Sequence, residues 1–241
     1  MRPITLVRPA RTANRILAAL PAAEYRMIRP LLERVVLEEG DVLRKPRARI
    51  RYVYFPESGV VCLINRLING TVMEVGLIGR EGAVGALSVL GTKAYAGEAI
   101  VQMPGSALRI RADILQSDAT ICPQLRALLM RFIQALFAQI VQSAACNGRH
   151  KIPERMARWL LMAHDRTDAD VLPLSHELLA MMLGVRRPGV THAMGALRKA
   201  GLIESRRGRI TILNRAGLET AACECYQAVK DEYDRLLPRG R

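Results

Sequence analysis

The sequence is short of acids: Asp and Glu number 22 against 36 Lys and Arg, leaving a formal charge of +14. A deficit of that size points to a polyanionic partner, either nucleic acid or an anionic surface, without choosing between them. Long apolar runs are missing too. The greasiest stretch, Leu125 to Cys146, is broken by Arg131, Gln134, Gln139 and Gln142, short of the roughly 18 apolar residues that a membrane-crossing helix needs. The N-terminus carries Arg2, Arg8, Arg11 and Arg15 before its first acid, Glu24, and has neither the apolar core nor the small-residue cleavage site of a secretory signal. Cysteines are few and odd in number (Cys62, Cys122, Cys146, Cys223, Cys225), which suits a reducing compartment better than a disulfide framework. No Ser/His/Asp grouping, Cys/His pair, paired-carboxylate motif or phosphate loop stands at a workable spacing. Gly79-Arg80-Glu81-Gly82 and Gly82-x-x-Gly85 are too short and wrongly placed for nucleotide fingerprints. These absences predict a soluble, cytoplasmic protein that is not an enzyme and has no membrane span.

What is present is a chain of 241 residues, 50% of them hydrophobic, enough for one large domain or two modest ones with real cores. Residues 14 to 32 carry Ile16, Leu17, Leu20, Tyr25, Ile28, Leu31 and Leu32 at helical spacings, which predicts a short helical lead over 1–33. Short apolar runs then alternate with turn signals: Glu38 to Asp41, Pro56 to Gly59, Asn69-Gly70, Gly76, Gly79 to Gly82 and Pro104-Gly105. Asn69-Gly70 is the strongest of these, because both residues tolerate the positive φ angles of a tight hairpin. The regular spacing predicts an antiparallel β-roll or barrel within 34–122. Leu125, Leu128, Leu129, Phe132, Leu136, Ile140 and Ala144 then recur at three and four, which predicts a long helix over 123–147. That seam can pack on its own barrel. Phe137 and Val141 beside it exceed what one face needs, so the helix is expected to pair with its copy in a homodimer. Asn147 to His150 breaks the pattern and marks the expected boundary of a last domain, 148–241.

In that last domain Ser175 is a good N-cap for a helix through Leu183, and Gly184 suits its left-handed end. Pro188 opens a second helix to about Ala200, with Val190, Met194 and Leu197 facing inward. Leu202 to Ser205 and Ile210 to Leu213 flank Arg206-Arg207-Gly208-Arg209, the plan of a β wing. Two short helices across a Gly turn, followed by a wing, match a winged helix-turn-helix. Half the net charge sits there: residues 184 to 215 hold eight basic side chains and one acid, Glu204. A recognition helix in the major groove needs flanking cations on phosphates, and the wing would supply them through Arg206, Arg207 and Arg209. The fold class expected is thus α+β, with an N-terminal β-roll, a long helix and a C-terminal winged helix-turn-helix.

At this point the sequence resembles the Crp/Fnr family of bacterial transcription regulators. The resemblance rests on Val53-Tyr54-Phe55-Pro56-Glu57-Ser58-Gly59-Val60, on Glu74-Val75-Gly76-Leu77-Ile78-Gly79-Arg80-Glu81-Gly82, and on Leu174 to Ile203 with the wing. It implies a cyclic-nucleotide-binding-like β-roll, a homodimer, double-stranded DNA as ligand, RNA polymerase as a further partner, and a small-molecule effector of unidentified kind. It also implies a recognition helix beginning at Arg186 or Arg187, with Arg187, Pro188, Thr191 and His192 nearest the base edges and Arg198 and Lys199 also among the DNA-binding residues. Arg187 can pair with guanine O6 and N7. His192 stands as either a base contact or a plain surface histidine.

The resemblance also implies departures. Where cyclic-nucleotide-binding members carry a Gly-Glu pair for ribose and an Arg-Ser pair for phosphate, this chain has Gly85-Ala86 and Tyr95-Ala96, so cyclic AMP is not the expected effector. The first cysteine is Cys62 and the first histidine His150, which argues against an N-terminal iron–sulfur centre and against haem in the roll. Cys223 and Cys225 fall in an expected C-terminal helix, where residues two apart point about 200° from each other. They read as structural, and no metal or cofactor is expected. The competing reading makes the roll a protein-interaction module and the basic region a binder of RNA or anionic lipid.

Overall fold

The computed structural model describes residues 12–92, 94–117 and 122–238, so Arg2, Arg8 and Arg11 lie outside the described residues. The helical lead is split by Pro21 into α1 (Arg15–Ala18) and α2 (Ala22–Ile28). Asn14 caps α1 by accepting from the Ile16 and Leu17 amides. Its fully buried side chain also donates to the carbonyls of Pro56 and Gly82, at 3.0 and 2.8 Å, which ties the lead to the roll.

The roll is built from β1 (Glu33–Leu37), β2 (Val42–Arg44), β3 (Tyr52–Arg66), β4 (Val72–Ile78) and β5 (Glu98–Arg111). The pairing is antiparallel throughout, in the order β1-β5-β3-β4 with β2 also on β5. The Asn69-Gly70 hairpin is present: Arg66 pairs with Val72, and Gly70 has φ +82°. Two other expected turns are not turns. Pro56 to Gly59 lies inside β3 and Pro104-Gly105 inside β5, and the two segments face each other across a run of register shifts. A Cβ at Gly59 would stand 2.6 Å from the Met103 carbonyl, and one at Gly105 would collide with the Ser58 carbonyl. The glycines therefore serve one shared bulge that bends two long strands together rather than ending them. Gly76 is likewise within β4, where the chain passes close beneath the long helix.

After α3 (Ala112–Ser117), α4 spans Pro123–Arg149. Pro123 sits in the first turn of this helix, where its missing N–H is not needed. The Glu24 carboxylate accepts from the Gln124 and Leu125 amides, both at 3.2 Å, and so caps α4 from α2. The helix also runs through Asn147 and Gly148, expected as the break, and stops at His150. By length and mean hydropathy α4 could cross a membrane, despite its polar interruptions. In this fold Leu125, Leu128, Leu129, Phe132 and Leu136 are buried. They face the roll and α9 (Cys225–Leu236), whose Tyr233 ring meets Phe132 edge-on at 6.4 Å.

The C-terminal half contains α5 (Ile152–His164), β6 (Val171–Pro173), α6 (His176–Leu183), α7 (Arg187–Lys199), β7 (Ile203–Arg206), β8 (Arg209–Ile212) and α8 (Arg215–Ala221). The wing is one strand richer than expected, because Leu172 and Pro173 join it in the order β6-β8-β7. The main apolar core runs without interruption from the roll through α4 and α5 into the helix-turn-helix.

Gly82 is the tightest point of that core, since a Cβ there would overlap the fully buried Phe132 ring. Gly82→Ala is expected to cost about 1–3 kcal/mol, the usual penalty for overpacking. Denaturant titration checks this; an unchanged midpoint would show that Phe132 can yield.

Candidate nucleic-acid interface

The two helices form where local signals place them. Ser175 Oγ accepts from the Leu178 amide at 3.2 Å, and Gly184 closes α6 in the left-handed conformation with φ +61°. Arg186 occupies the N-cap of α7 and Pro188 its first turn. Val190, Ala193, Met194 and Leu197 are buried and anchor α7 on α5 and α6. The opposite face, made by Arg187, Pro188, Thr191, His192, Gly195, Arg198 and Lys199, is exposed. These positions recur at three and four, so they form one outward stripe.

Beside the stripe lies the wing tip. Arg206 pairs with Arg209, and Arg207 and Gly208 turn the chain with φ +48° and +74°. Positive φ at both central residues is the signature of a tight hairpin turn. Arg206, Arg207 and Arg209 are all exposed, so every basic residue expected at the interface lies on the accessible side. Arg187 is held by Glu177 at 3.1 Å, with both side chains about two-thirds exposed (67% and 63%). A pair that open to solvent is worth about 0–1 kcal/mol, so a phosphate or guanine can displace Glu177 at little cost.

Arg215 is different. It belongs to the basic count of this window, yet it turns inward to Asp165 at 2.6 Å and to the Tyr226 hydroxyl at 2.7 Å, with Glu219 at 3.0 Å. It holds the domain together and is not a free cation for DNA. Sequence reasoning also passed over Gly195. It sits mid-stripe with open space where a side chain would be, so a polyanion backbone can approach the helix there. His176 was missed as well; its Nδ1 lies 3.3 Å from Thr191 Oγ1 and braces the stripe from α6.

The reading half is joined to the roll by buried polar contacts. Arg166 donates Nε–H to Glu81 at 2.9 Å, and its other nitrogens reach the Met162 carbonyl and Gln139. Trp159 Nε1–H donates to Glu74 at 2.8 Å, and the Cys62 thiol lies 3.4 Å from the same carboxylate oxygen. Glu74 as a residue is half-buried, but its carboxyl group is enclosed by these neighbours. Burial pushes it from 4.5 up to about 7, against the opposing pull of the Trp159 and Cys62 hydrogen bonds and the cations Arg158 and Arg166.

A fourth grouping corrects the reading of the C-terminal cysteines. Cys223 lies ahead of α9 rather than on it, and Cys225 opens that helix. The two therefore do not diverge on a common helix surface. They meet Cys146 and His150, from the end of α4, in a single cluster.

A β-roll, a long helix and a winged helix-turn-helix in one chain make the fold of a Crp/Fnr-type transcription regulator with a helix-turn-helix DNA-binding domain. Two family models match in that order: a cyclic nucleotide-binding domain over residues 34–117 and a Crp-like helix-turn-helix domain over residues 154–221. The chain belongs to the Crp/Fnr family. The global nitrogen regulator of Synechococcus elongatus is 24% identical over 193 residues, covering 75% of this chain and 86% of that protein. Among solved structures, FixK2 from Bradyrhizobium japonicum is similar with a TM-score of 0.68 at 19% identity, over 80% of this chain and 98% of that one. CLP from Xanthomonas campestris, a c-di-GMP-responsive global regulator, gives a TM-score of 0.64 at 16% identity, over 80% and 99%. At such identities the structural likeness is one of fold.

The Glu74 environment sets a pH dependence. Its carboxyl is raised in the folded chain, so the ionised form is disfavoured there and stability falls as pH rises from about 4.5 to about 7. Glu74→Gln keeps an acceptor for Trp159 and removes the titration. Thermal melts across that range should show a steeper loss for the wild type than for Glu74→Gln; parallel curves would exclude Glu74 as the source.

Proposed function

We propose that the protein is a homodimeric, sequence-specific DNA-binding transcription regulator whose effector is not cyclic AMP. The observation that carries the proposal is the exposure of both the basic α7 stripe and the basic wing tip. Arg187, Thr191 and His192 would face base edges in the major groove. Arg186, Arg198 and Lys199 on the helix, and Arg206, Arg207 and Arg209 on the wing, would sit on phosphates. Pro188 at the start of α7 offers no hydrogen bond from its side chain, so the half-site is read mainly by its neighbours.

The dimer reading rests on α4. Met130, Gln134, Phe137, Val141, Ala144 and Gly148 are exposed and follow one another at alternating steps of four and three. That alternation is the repeat of a two-stranded coiled coil. Phe137 is 66% exposed and Val141 51%, a cost that pairing with a second α4 would remove. Two reading heads held this way would address half-sites about 34 Å apart, one turn of DNA.

The effector reading rests on a cavity of about 370 Å³ between the roll and α4. Gly85, Ala86, Tyr95 and Ala96 line it, joined by Ile133, Phe137 and Ile140 from the helix. Among the described residues, none that line it carries a charge. Arg44 stands behind this lining, stacked on the Tyr95 ring, so a cyclic phosphate would have to pass an apolar wall to reach it, which is costly. An uncharged small molecule suits the cavity better. RNA polymerase is the further partner proposed for the protein.

Selection of bound sequences from random duplex DNA tests the reading. Enrichment of a near-palindromic site is expected; salt-sensitive binding with no preferred sequence, or preference for RNA or anionic vesicles, would overturn it. Arg187→Ala should weaken the selected site by about 1–3 kcal/mol while leaving bulk DNA nearly unaffected. Arg207→Ala should weaken both and reduce the salt slope by about one unit. Phe137→Glu should turn the dimer into a monomer in sedimentation, with loss of binding to the full palindrome.

A further inference from the structure

We infer that Cys146, His150, Cys223 and Cys225 form a structural zinc site that staples the end of α4 to the start of α9. Their donor atoms all lie within 4.8 Å of one another. The Cys146 and Cys223 sulfurs are 3.5 Å apart, and His150 Nδ1 is 3.5 Å from the Cys225 sulfur. Zinc bonds of roughly 2.3 Å to sulfur and 2.0 Å to nitrogen, arranged as a tetrahedron, place donors roughly 3.5–3.8 Å apart. The cluster is already near that size, and too tight to wrap several irons. Three thiolates and an imidazole are a common structural zinc set, and four protein donors leave no open position for catalysis.

The surroundings fit a metal better than a chance meeting of thiols. His150 presents Nδ1 to the sulfurs while its Nε2 lies 3.1 Å from a Glu224 carboxylate oxygen. A carboxylate on the far nitrogen fixes the tautomer that leaves a lone pair for the ion. Gln142 donates Nε2–H to the Cys225 sulfur at 3.0 Å, as second partners of zinc-bound thiolates do. Three thiolates, one divalent ion and the Glu224 carboxylate on His150 sum to a charge of −2. Arg155 and Arg158 supply the balance: both are more than nine-tenths buried, both interact electrostatically with Cys146, and the Nε of each has no hydrogen-bond partner among the described residues. The three cysteines also stand apart from the main apolar core as a cluster of their own.

The spacing explains how the chain builds the site. Cys146 and His150 are four apart at the end of α4, so they share a helix face. Cys223 and Cys225 straddle the turn into α9. An ion held by both pairs joins the long helix to the C-terminal helix that carries Tyr233 against Phe132.

The test uses the full chain, kept reduced, stripped with a chelator, then titrated with Zn²⁺ or with Co²⁺ as a spectroscopic probe. One equivalent per chain is expected. The cobalt form should show intense visible bands of tetrahedral geometry and thiolate charge transfer in the near ultraviolet, both abolished by Zn²⁺. Glu224→Gln should lower affinity by about 10-fold or more. Cys146→Ser and Cys223→Ser should lose the metal, whereas Cys62→Ser should keep it. His150→Cys should retain the ion with stronger charge transfer, which reads the site even where a serine variant folds poorly. Failure of the folded wild type to bind metal, weak octahedral cobalt bands, unaltered binding in Cys146→Ser and Cys223→Ser, or a Cys146–Cys223 disulfide under the same reducing conditions would each overturn the assignment. No step of the readout involves DNA.

Discussion

The arrangement of the two halves depends on one buried ion pair. Arg166 and Glu81 are each about 7% exposed, deep enough that either alone would be an uncompensated charge. Desolvation of two such groups costs several kcal/mol each and is recovered only when the remaining hydrogen bonds are satisfied. They are satisfied by the Met162 carbonyl one turn back in α5 and by distant parts of the chain: Gln139 from α4, and through Gln139 the Leu77 carbonyl of β4. The turn that carries Glu81 is shaped for this contact. A Cβ on Gly79 would stand 2.6 Å from the Arg166 stem, and Gly82 makes room for Phe132. The Gly79-Arg80-Glu81-Gly82 segment is thus neither a phosphate loop nor a simple turn. It is the socket into which the C-terminal half plugs.

Around that socket the long helix carries separate duties on separate faces. One face fills the roll and meets Tyr233, another lines the apolar cavity, and the third is left exposed as a seam. A side chain such as Phe137 belongs to both cavity and seam. On the proposed reading, a ligand that binds one arrangement of the cavity better than another would bias the pairing of two helices, and with it the spacing of two reading heads. The Glu74–Trp159 contact joins the roll to α5, and the cysteine cluster joins the end of α4 to the start of α9.

The reading half was largely legible in the residues, and the reason is local. Ser175, Gly184 and Pro188 are punctuation that acts within a turn of helix, and the stripe of Arg187, Thr191 and His192 follows from spacing alone. The roll was legible in kind but not in path. Proline and glycine at 56–59 and 104–105 look like turns in one dimension; only when β3 and β5 lie side by side do they become a shared bend. Gly76 misled in the same way, since the reason for its missing side chain is the approach of α4. The Cys146, His150, Cys223 and Cys225 set had a usable signal in its spacings of four and two. Reading Cys223 as helical hid it, because the helix begins two residues later.

By itself the sequence determined the order of parts, the concentration of positive charge on one helix-turn-helix and wing, and the Gly85-Ala86 and Tyr95-Ala96 pairs that stand in place of charged ones. These depend on residue type and on spacings shorter than a few turns. Tertiary structure alone decided which charges are free and which are spent, as Arg215 and Arg166 show by turning inward while Arg186 and Arg207 do not. It also decided which glycines are bends and which are sockets, and which thiols meet. Those outcomes depend on atoms brought together from distant segments, and no local rule contains the distance between them.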